Sequence, residues 1–539
     1  MHKQWPLIPV APHRSTDSSS VECLAQAKNW WQHCSLKHTE CAHSPDPSLE
    51  QPDLPTRLIA VGSETKEPYL YETKPNEKGM YAALSYCWGL SRTFTTTLST
   101  LDARKQGFTL ADLPNTCRDA VIAARSLGLS YIWIDSLCII QDNKDDWERE
   151  AVRMCDVYSN SAVTLAGLSS PDSDTGLFMS NPARQTYYLP CVWGDGNAGY
   201  VYARKDFSGL AMGFLHTDTR RRGIGHEVGG VLQTRGWTLQ ELTLSPRILW
   251  FSEWELAWSC RTQTACECDP ILTSQLMKRG AARISTNPKE GETPPLEQWR
   301  SLVKTFTRRK LTHATDRLPA LMGIATAMSK RIEGRYLAGL WEEQLERNLL
   351  WTTDRTGMDC DQAALLEAPR TYVYAPSWSW ASTTLPIWFI SWTNSSRYQS
   401  VWRIQGIQFT YATSSPFGSG SGTITVDTVT IPLEVLDDSY FAYPWKGGYL
   451  SFSDMEDSWF PDYRLSGGNF MFLFAGIQGR LQGDPTGCIT RFVGLVVEEI
   501  TKDVYRRIGL INGTFKSGCC NGSWLDWQDA SSKQQITLI

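Results

Sequence analysis

Tyr131-Ile-Trp-Ile-Asp-Ser-Leu-Cys-Ile-Ile-Gln-Asp142 is the stretch on which the fold turns. Its first four residues are apolar without alternation, as in a strand buried on both faces. Upstream, Cys117, Val121, Ala124 and Leu127 recur at helical spacing, with Pro114 before them and Gly128 after. That predicts a helix over 114–128. Further upstream, Ala82-Ala-Leu-Ser-Tyr86 reads as another short buried strand. Downstream, Asp145 and Asp146 open a second helix, where their charge complements the helix dipole. Its apolar stripe is Trp147, Ala151, Met154 and Tyr158, and Ala162-Val-Thr-Leu-Ala166 follows as a third strand. The order β-α-β-α-β with short connections predicts an α/β fold with a parallel sheet and right-handed crossovers.

Around this core the chain divides into four. Residues 1–80 are an N-terminal arm with short strands at 57–61 and 69–71, and a short helix from Ala25 to Cys34. The core spans 81–251, with an irregular insertion at 171–233 and a last helix and strand near 237–251. A helical connector, with a break at Pro288 to Pro295, fills 252–351. A β-rich region fills 352–539, with strands at 401–409, 422–426, 470–474 and 493–497.

In an open parallel sheet, ligands bind at the carboxyl ends of the strands. Those ends are Ser85 to Gly89, Asp135 to Cys138 and Gly167 to Ser169. Asp135 is the one acid in an apolar run, so it is either a ligand contact or a buried cap holding backbone amides. Gly89 lets backbone approach a ligand, and Trp88 suits stacking on a ring or packing in the core. Cys138 invites a nucleophile reading. Its only histidine partners in the core, His216 and His226, lie in the irregular insertion, which argues against a cysteine protease. In Arg235-Gly-Trp-Thr-Leu-Gln-Glu241, Trp237 and Glu241 stand four residues apart. On a helix they share a face, setting a ring beside a carboxylate with Gln240 next to it. The plainer alternative is an anchoring Trp and a solvated Glu.

Three blocks, Tyr81 to Gly89, Tyr131 to Asp142 and Arg235 to Glu241, together resemble the heterokaryon-incompatibility (HET) domain of filamentous fungi. Weaker likeness extends to Leu54–Leu58, Asp316–Leu321, Tyr336–Trp341 and Ala375–Ala381. The resemblance implies a role in allorecognition or programmed cell death. HET domains are distantly similar to TIR domains, which share a flavodoxin-like architecture, and some TIR domains cleave NAD⁺ with one Glu that follows a Trp. On that analogy Glu241 is catalytic and NAD⁺ is the substrate, with no cofactor required. Ser85, Tyr86, Trp88, Gly89, Asp135, Cys138, Trp237 and Gln240 would line the site. A non-catalytic adaptor working by homotypic contacts is the alternative. Self-association or a separate sensor protein is the expected partnership.

Composition narrows the classes. Lys and Arg total 52 against 57 Asp and Glu, a net charge of −5, which argues against a nucleic-acid partner. Apolar residues are 42 % of the 539, enough for a sizeable core, and 23 Trp outnumber Tyr and Phe. No run reaches the roughly 18 apolar residues of a membrane span, no Walker loop appears, and Met1-His-Lys-Gln-Trp-Pro has no leader-like apolar run. A cytoplasmic protein with reduced thiols is the simplest account of its 15 Cys. Cys34, His38 and Cys41 are close enough in sequence to hold structural zinc, with a fourth ligand from Cys23, His43 or elsewhere, although they lack the two clean pairs of the strong zinc templates. Buried free thiols are the other reading. Cys260, Cys266 and Cys268 form a weaker set of the same kind.

Overall fold

The structure, a computed structural model, describes residues 15–41, 51–89, 94–180, 187–192, 196, 198–203, 230–253, 255–267, 293–354, 375–394, 398–412, 415–437, 440–445, 448–451, 458–461, 469–478, 491–513 and 532–539. The chain forms two units, Met1–Glu290 and Gly291–Ile539.

The first unit runs α1 (Val21–Lys37), β1 (Arg57–Ala60), β2 (Tyr69–Glu72), β3 (Ala82–Ser85), α2 (Leu101–Gln106), α3 (Asn115–Leu127), β4 (Tyr131–Trp133), α4 (Asp135–Cys138), α5 (Lys144–Asn160), β5 (Val163–Gly167), β6 (Tyr187–Val192), β7 (Ala198–Ala203), α6 (Thr238–Leu244), β8 (Arg247–Phe251), β9 (Leu256–Cys260) and β10 (Thr264–Cys266). Eight of these strands make one sheet in the order β10-β9-β8-β5-β3-β4-β1-β2. The inner four are parallel, with Ala83 opposite Trp133 on one side and Thr164 on the other, and Leu165 opposite Leu249. The outer pairs are antiparallel, Ile59 facing Ile132 and Ser259 facing Ile248.

The sheet is therefore mixed, where the sequence predicted parallel strands alone. Short turns join β1 to β2 and β9 to β10, and a short turn can only pair strands antiparallel. The strands of the N-terminal arm are one edge of the core sheet. The segment expected to be a helical connector from 252 begins with the other edge, because Leu256–Cys260 is buried throughout and gave no alternating signal.

Helix α3 buries Cys117, Val121, Ala124 and Leu127, the expected face. Helix α1 runs well beyond Ala25–Cys34 at both ends and is capped by Ser20, whose side chain accepts from the Cys23 amide. Helix α5 is turned relative to the expected stripe. Trp147 is 39 % exposed, while Asp146 and Glu150 are buried. Burial of Asp146 follows from Arg57 on β1, which forms an ion pair with it and donates to the Cys138 carbonyl at 2.7 Å. The Ile140 amide donates to Asp146 at 2.9 Å. A partner far away in sequence thus outweighs the apolar pattern. Within the insertion, β6 and β7 form an antiparallel hairpin. His216 and His226 lie outside the described residues.

The second unit has helices Pro295–Thr307 and Pro319–Met328, then a ten-stranded sheet. The strands expected at 401–409, 422–426, 470–474 and 493–497 fall in Arg403–Tyr411, Gly420–Asp437, Phe470–Gln478 and Arg491–Thr501. Its tryptophans build a frame of buried indoles. Trp299 and Trp380 both donate to the Gly339 carbonyl, at 3.0 and 2.8 Å, and Trp351 donates to the Trp378 carbonyl at 2.9 Å. Gly339 sits at φ +97°, and a Cβ there would come within 2.6 Å of the Trp380 ring, so no side chain fits. The blocks Tyr336–Trp341 and Ala375–Ala381 meet at this point, which gives them a packing role.

Candidate functional site

The carboxyl end of β3 continues as Tyr86-Cys-Trp-Gly89 and packs onto the start of α4. The Trp88 indole donates to Asp135 Oδ2 at 2.7 Å, and the Ser136 amide donates to Asp135 Oδ1 at 2.7 Å. The Tyr86 hydroxyl donates to Ser136 Oγ at 2.9 Å. Gly89 takes φ +74°, and a Cβ there would come within 2.5 Å of the Asp172 Cβ, so glycine alone allows this close approach. Burial pushes the Asp135 carboxyl up to about 6, with the Trp88 and Ser136 donors and the Arg235 charge holding it back. Asp135 thus caps a local amide and also touches an indole, so the two readings of it meet in one residue.

Glu241 arrives from the other side. The Thr238 hydroxyl donates to the Leu232 and Arg235 carbonyls at 2.8 and 2.9 Å, fixing the entry of α6. Trp237 is the residue before the first helical turn and is half-buried. Its carbonyl accepts from the Glu241 amide at 3.5 Å, so the four-residue relation holds, though Trp237 stands at the mouth of the helix and not within it. Every residue of α6 is buried, and Glu241 is only 6 % exposed. It is enclosed, not on an open cleft wall.

Burial pushes the Glu241 carboxyl up to about 7, and the neighbouring Asp135 charge adds to this. The Ser85 hydroxyl, the Arg235 guanidinium and the Tyr158 phenol favour the charged form. Ser85 is fully buried, and its hydroxyl closes no hydrogen bond of ordinary geometry although it faces this carboxyl. Tyr158 from α5 donates to the Leu84 carbonyl at 2.9 Å and carries a phenol raised well above its ordinary range by burial.

The arrangement is therefore two buried carboxyls, one guanidinium and the Trp88 indole, gathered from the ends of β3 and β4 and from α6. Both carboxyls change charge near neutral pH, so either can hold or release a proton there. Residues 81–241 match the family model of the heterokaryon incompatibility protein (HET). The HET match begins at the first residue before β3 and ends on Glu241, so it brackets this site. Comparison with curated proteins and with solved structures gave no match.

Of the residues singled out in sequence, Ser85, Tyr86, Trp88, Gly89, Asp135 and Glu241 converge on the site, and Trp237 stands at the start of the helix that carries Glu241. Gln240 lies beside Glu241 on α6 and is buried. Cys138 lies buried at the end of α4. Burial pushes its thiol up to about 12, and the thiol accepts from the Ile134 amide at 3.4 Å. Sequence reasoning missed Arg235 and Tyr158 as members. Arg235 opens the quoted block and was there to be read. Tyr158 was read only as part of an apolar stripe.

A second cluster stands apart from this one. The ligand atoms of Cys34, His38, Cys41 and Cys260 all lie within 4.8 Å of one another. Cys23 is elsewhere, donating to Glu267 at 2.9 Å, and His43 lies outside the described residues. The weaker set is broken up: Cys260 joins the N-terminal residues, Cys266 is disulfide-bonded, contrary to the expectation of reduced thiols throughout, and Cys268 lies outside the described residues. Among the described residues no helix is long and apolar enough to cross a membrane.

Proposed function

We propose that this chain acts in heterokaryon incompatibility, as a cytoplasmic trigger of regulated cell death, and that Glu241 carries the chemistry by cleaving NAD⁺. The observation behind the reading is the Glu241 carboxyl, raised to about 7, beside Asp135 and Arg235 at the carboxyl ends of parallel strands. The strand order β4-β3-β5-β8, or 2-1-3-4 counted along the core, is that of flavodoxin-like sheets and supports the TIR-like analogy. That analogy is one of fold and leaves the activity to be tested.

The chemistry requires little. Water adds to the ribose carbon as its bond to nicotinamide breaks. Nicotinamide leaves with the bonding pair as a neutral molecule, and the water's second proton goes to solvent. The transition state resembles an oxocarbenium ion. An ionised Glu241 near the ribose hydroxyls would stabilise that charge. A cationic nicotinamide ring entering beside Trp88 and Trp237 would draw the proton off Glu241, because a nearby positive charge favours the carboxylate. Arg235 would meet an anionic part of the ligand. Activation by self-association or by a separate sensor completes the reading.

The near-complete burial of Glu241 favours a second reading, an adaptor in which the carboxyl is structural. Expression of wild type and Glu241→Gln at matched levels separates the two. Enzyme action predicts NAD⁺ loss and cell death with wild type, and at least ~10²-fold slower nicotinamide release with the variant. If the variant kills as well as wild type and NAD⁺ is unchanged in both, the adaptor reading replaces the enzyme.

A further inference from the structure

We infer that Cys34, His38, Cys41 and Cys260 bind one zinc ion that ties the C-terminal end of α1 to the β9–β10 turn. Three thiolates and an imidazole are a ligand set of structural zinc. Soft sulfur donors at tetrahedral corners favour zinc over the hard cations. Sulfurs bound to zinc at about 2.3 Å stand roughly 3.8 Å apart. The observed spread of up to 4.8 Å needs only a small contraction of side chains, with backbone in place. The Cys260 sulfur is already 3.3 Å from His38 Nδ1.

The backbone presents these residues without strain. Cys34 is on the last turn of α1, and the His38 amide closes that turn onto the Cys34 carbonyl at 3.1 Å. The Cys41 amide then donates to the His38 carbonyl at 3.2 Å, curling the loop over the same point. Cys260 ends β9, and the turn after it is closed by its amide donating to the Gln263 carbonyl at 2.8 Å. Cys34, Cys41 and Cys260 are all buried, and His38 is partly exposed, leaving an entry path for the ion.

The surroundings are those of a metal site. The Gln263 amide donates to the Cys260 sulfur at 3.3 Å, and the Arg247 Nε donates to the Cys34 sulfur at 3.2 Å. Donors to ligand sulfur orient and stabilise thiolates. Three thiolates, one neutral imidazole and Zn²⁺ sum to one negative charge. Arg247 is fully buried, directly opposite Cys260 in the β8–β9 pairing, and stacks 4.9 Å from the Trp31 ring. Its positive charge neutralises the bound site where water cannot.

The test is elemental analysis of the purified full chain, grown with added zinc and kept under reducing conditions. One zinc per chain is expected. Cys260→Ser should lose it, and Cys155→Ser, on α5 away from the cluster, should keep it. His38→Cys should also keep zinc, since four thiolates hold it equally well. Because Cys260→Ser can fail to fold, cobalt titration of the apo wild type gives an independent reading. Thiolate-to-cobalt charge-transfer bands with tetrahedral d–d bands are expected, shifting in His38→Cys. Folded wild type that carries no stoichiometric zinc and gives no such bands overturns the inference, leaving three buried free thiols.

Discussion

Replacing Glu241 by Gln should stabilise the first unit above neutral pH. The carboxyl ionises at 4.5 in an ordinary setting and at about 7 here, because burial and Asp135 disfavour its charge. At about 1.4 kcal/mol per pH unit, that gap amounts to about 3 kcal/mol. The native state holds the proton more tightly than the unfolded chain. Wild-type stability from this group is therefore complete below 4.5, falls as pH rises towards 7, and is absent above it. Gln mimics the protonated acid and does not titrate. The two proteins should match below about pH 4, and the variant should be ahead by up to about 3 kcal/mol at pH 8. For a unit of this size that corresponds to roughly 6–12 °C in melting temperature. Hydrogen exchange at the β3 and β5 amides of the full chain reads this unit alone. A variant no more protected than wild type at pH 8, or less, would refute the reasoning and mean that Arg235 and Ser85 hold a stable carboxylate. A gain in stability with a loss of activity is the usual mark of a functional site.

Two further outcomes follow from buried contacts. Asp146→Asn leaves the Arg57 guanidinium buried without its countercharge and should cost about 3–5 kcal/mol, measured by denaturant melts with fluorescence from Trp133 and its neighbours. Gly89→Ala places a side chain at positive φ against Asp172, should cost about 1–3 kcal/mol, and should lengthen the Trp88–Asp135 contact, visible as a loss of protection at the indole N–H.

The parallel centre was legible because its signals are local. Ala82–Ser85, Tyr131–Trp133 and Val163–Gly167 are short runs buried on both faces, and α3 carries its own periodicity between Pro114 and Gly128. What failed to show depended on distant partners. Asp146 goes inward because Arg57 awaits it, 89 positions away. Cys260 completes the N-terminal cluster 222 positions from His38, and no spacing rule spans that gap. The Trp237/Glu241 relation was readable from the four-residue step, but the enclosure of Glu241 was not. It follows from α5 and β3 closing over α6, with Tyr158 and Ser85 facing the carboxyl.

The borders of the family match run through the middle of a hydrogen-bonded sheet. Cutting the chain at 81 and 241 would remove β1 from the free side of β4, and would remove β8 altogether from β5. Two rows of backbone amides and carbonyls would then face solvent on an apolar sheet, an invitation to edge-to-edge aggregation. The sheet that holds the matched segment runs from β1 at Arg57 to β10 at Cys266, with the helix at Val21 packed on it. Any exchange of the matched segment alone must therefore preserve the edges it offers to β1 and to β8, or the sheet is lost before any function is put to the test.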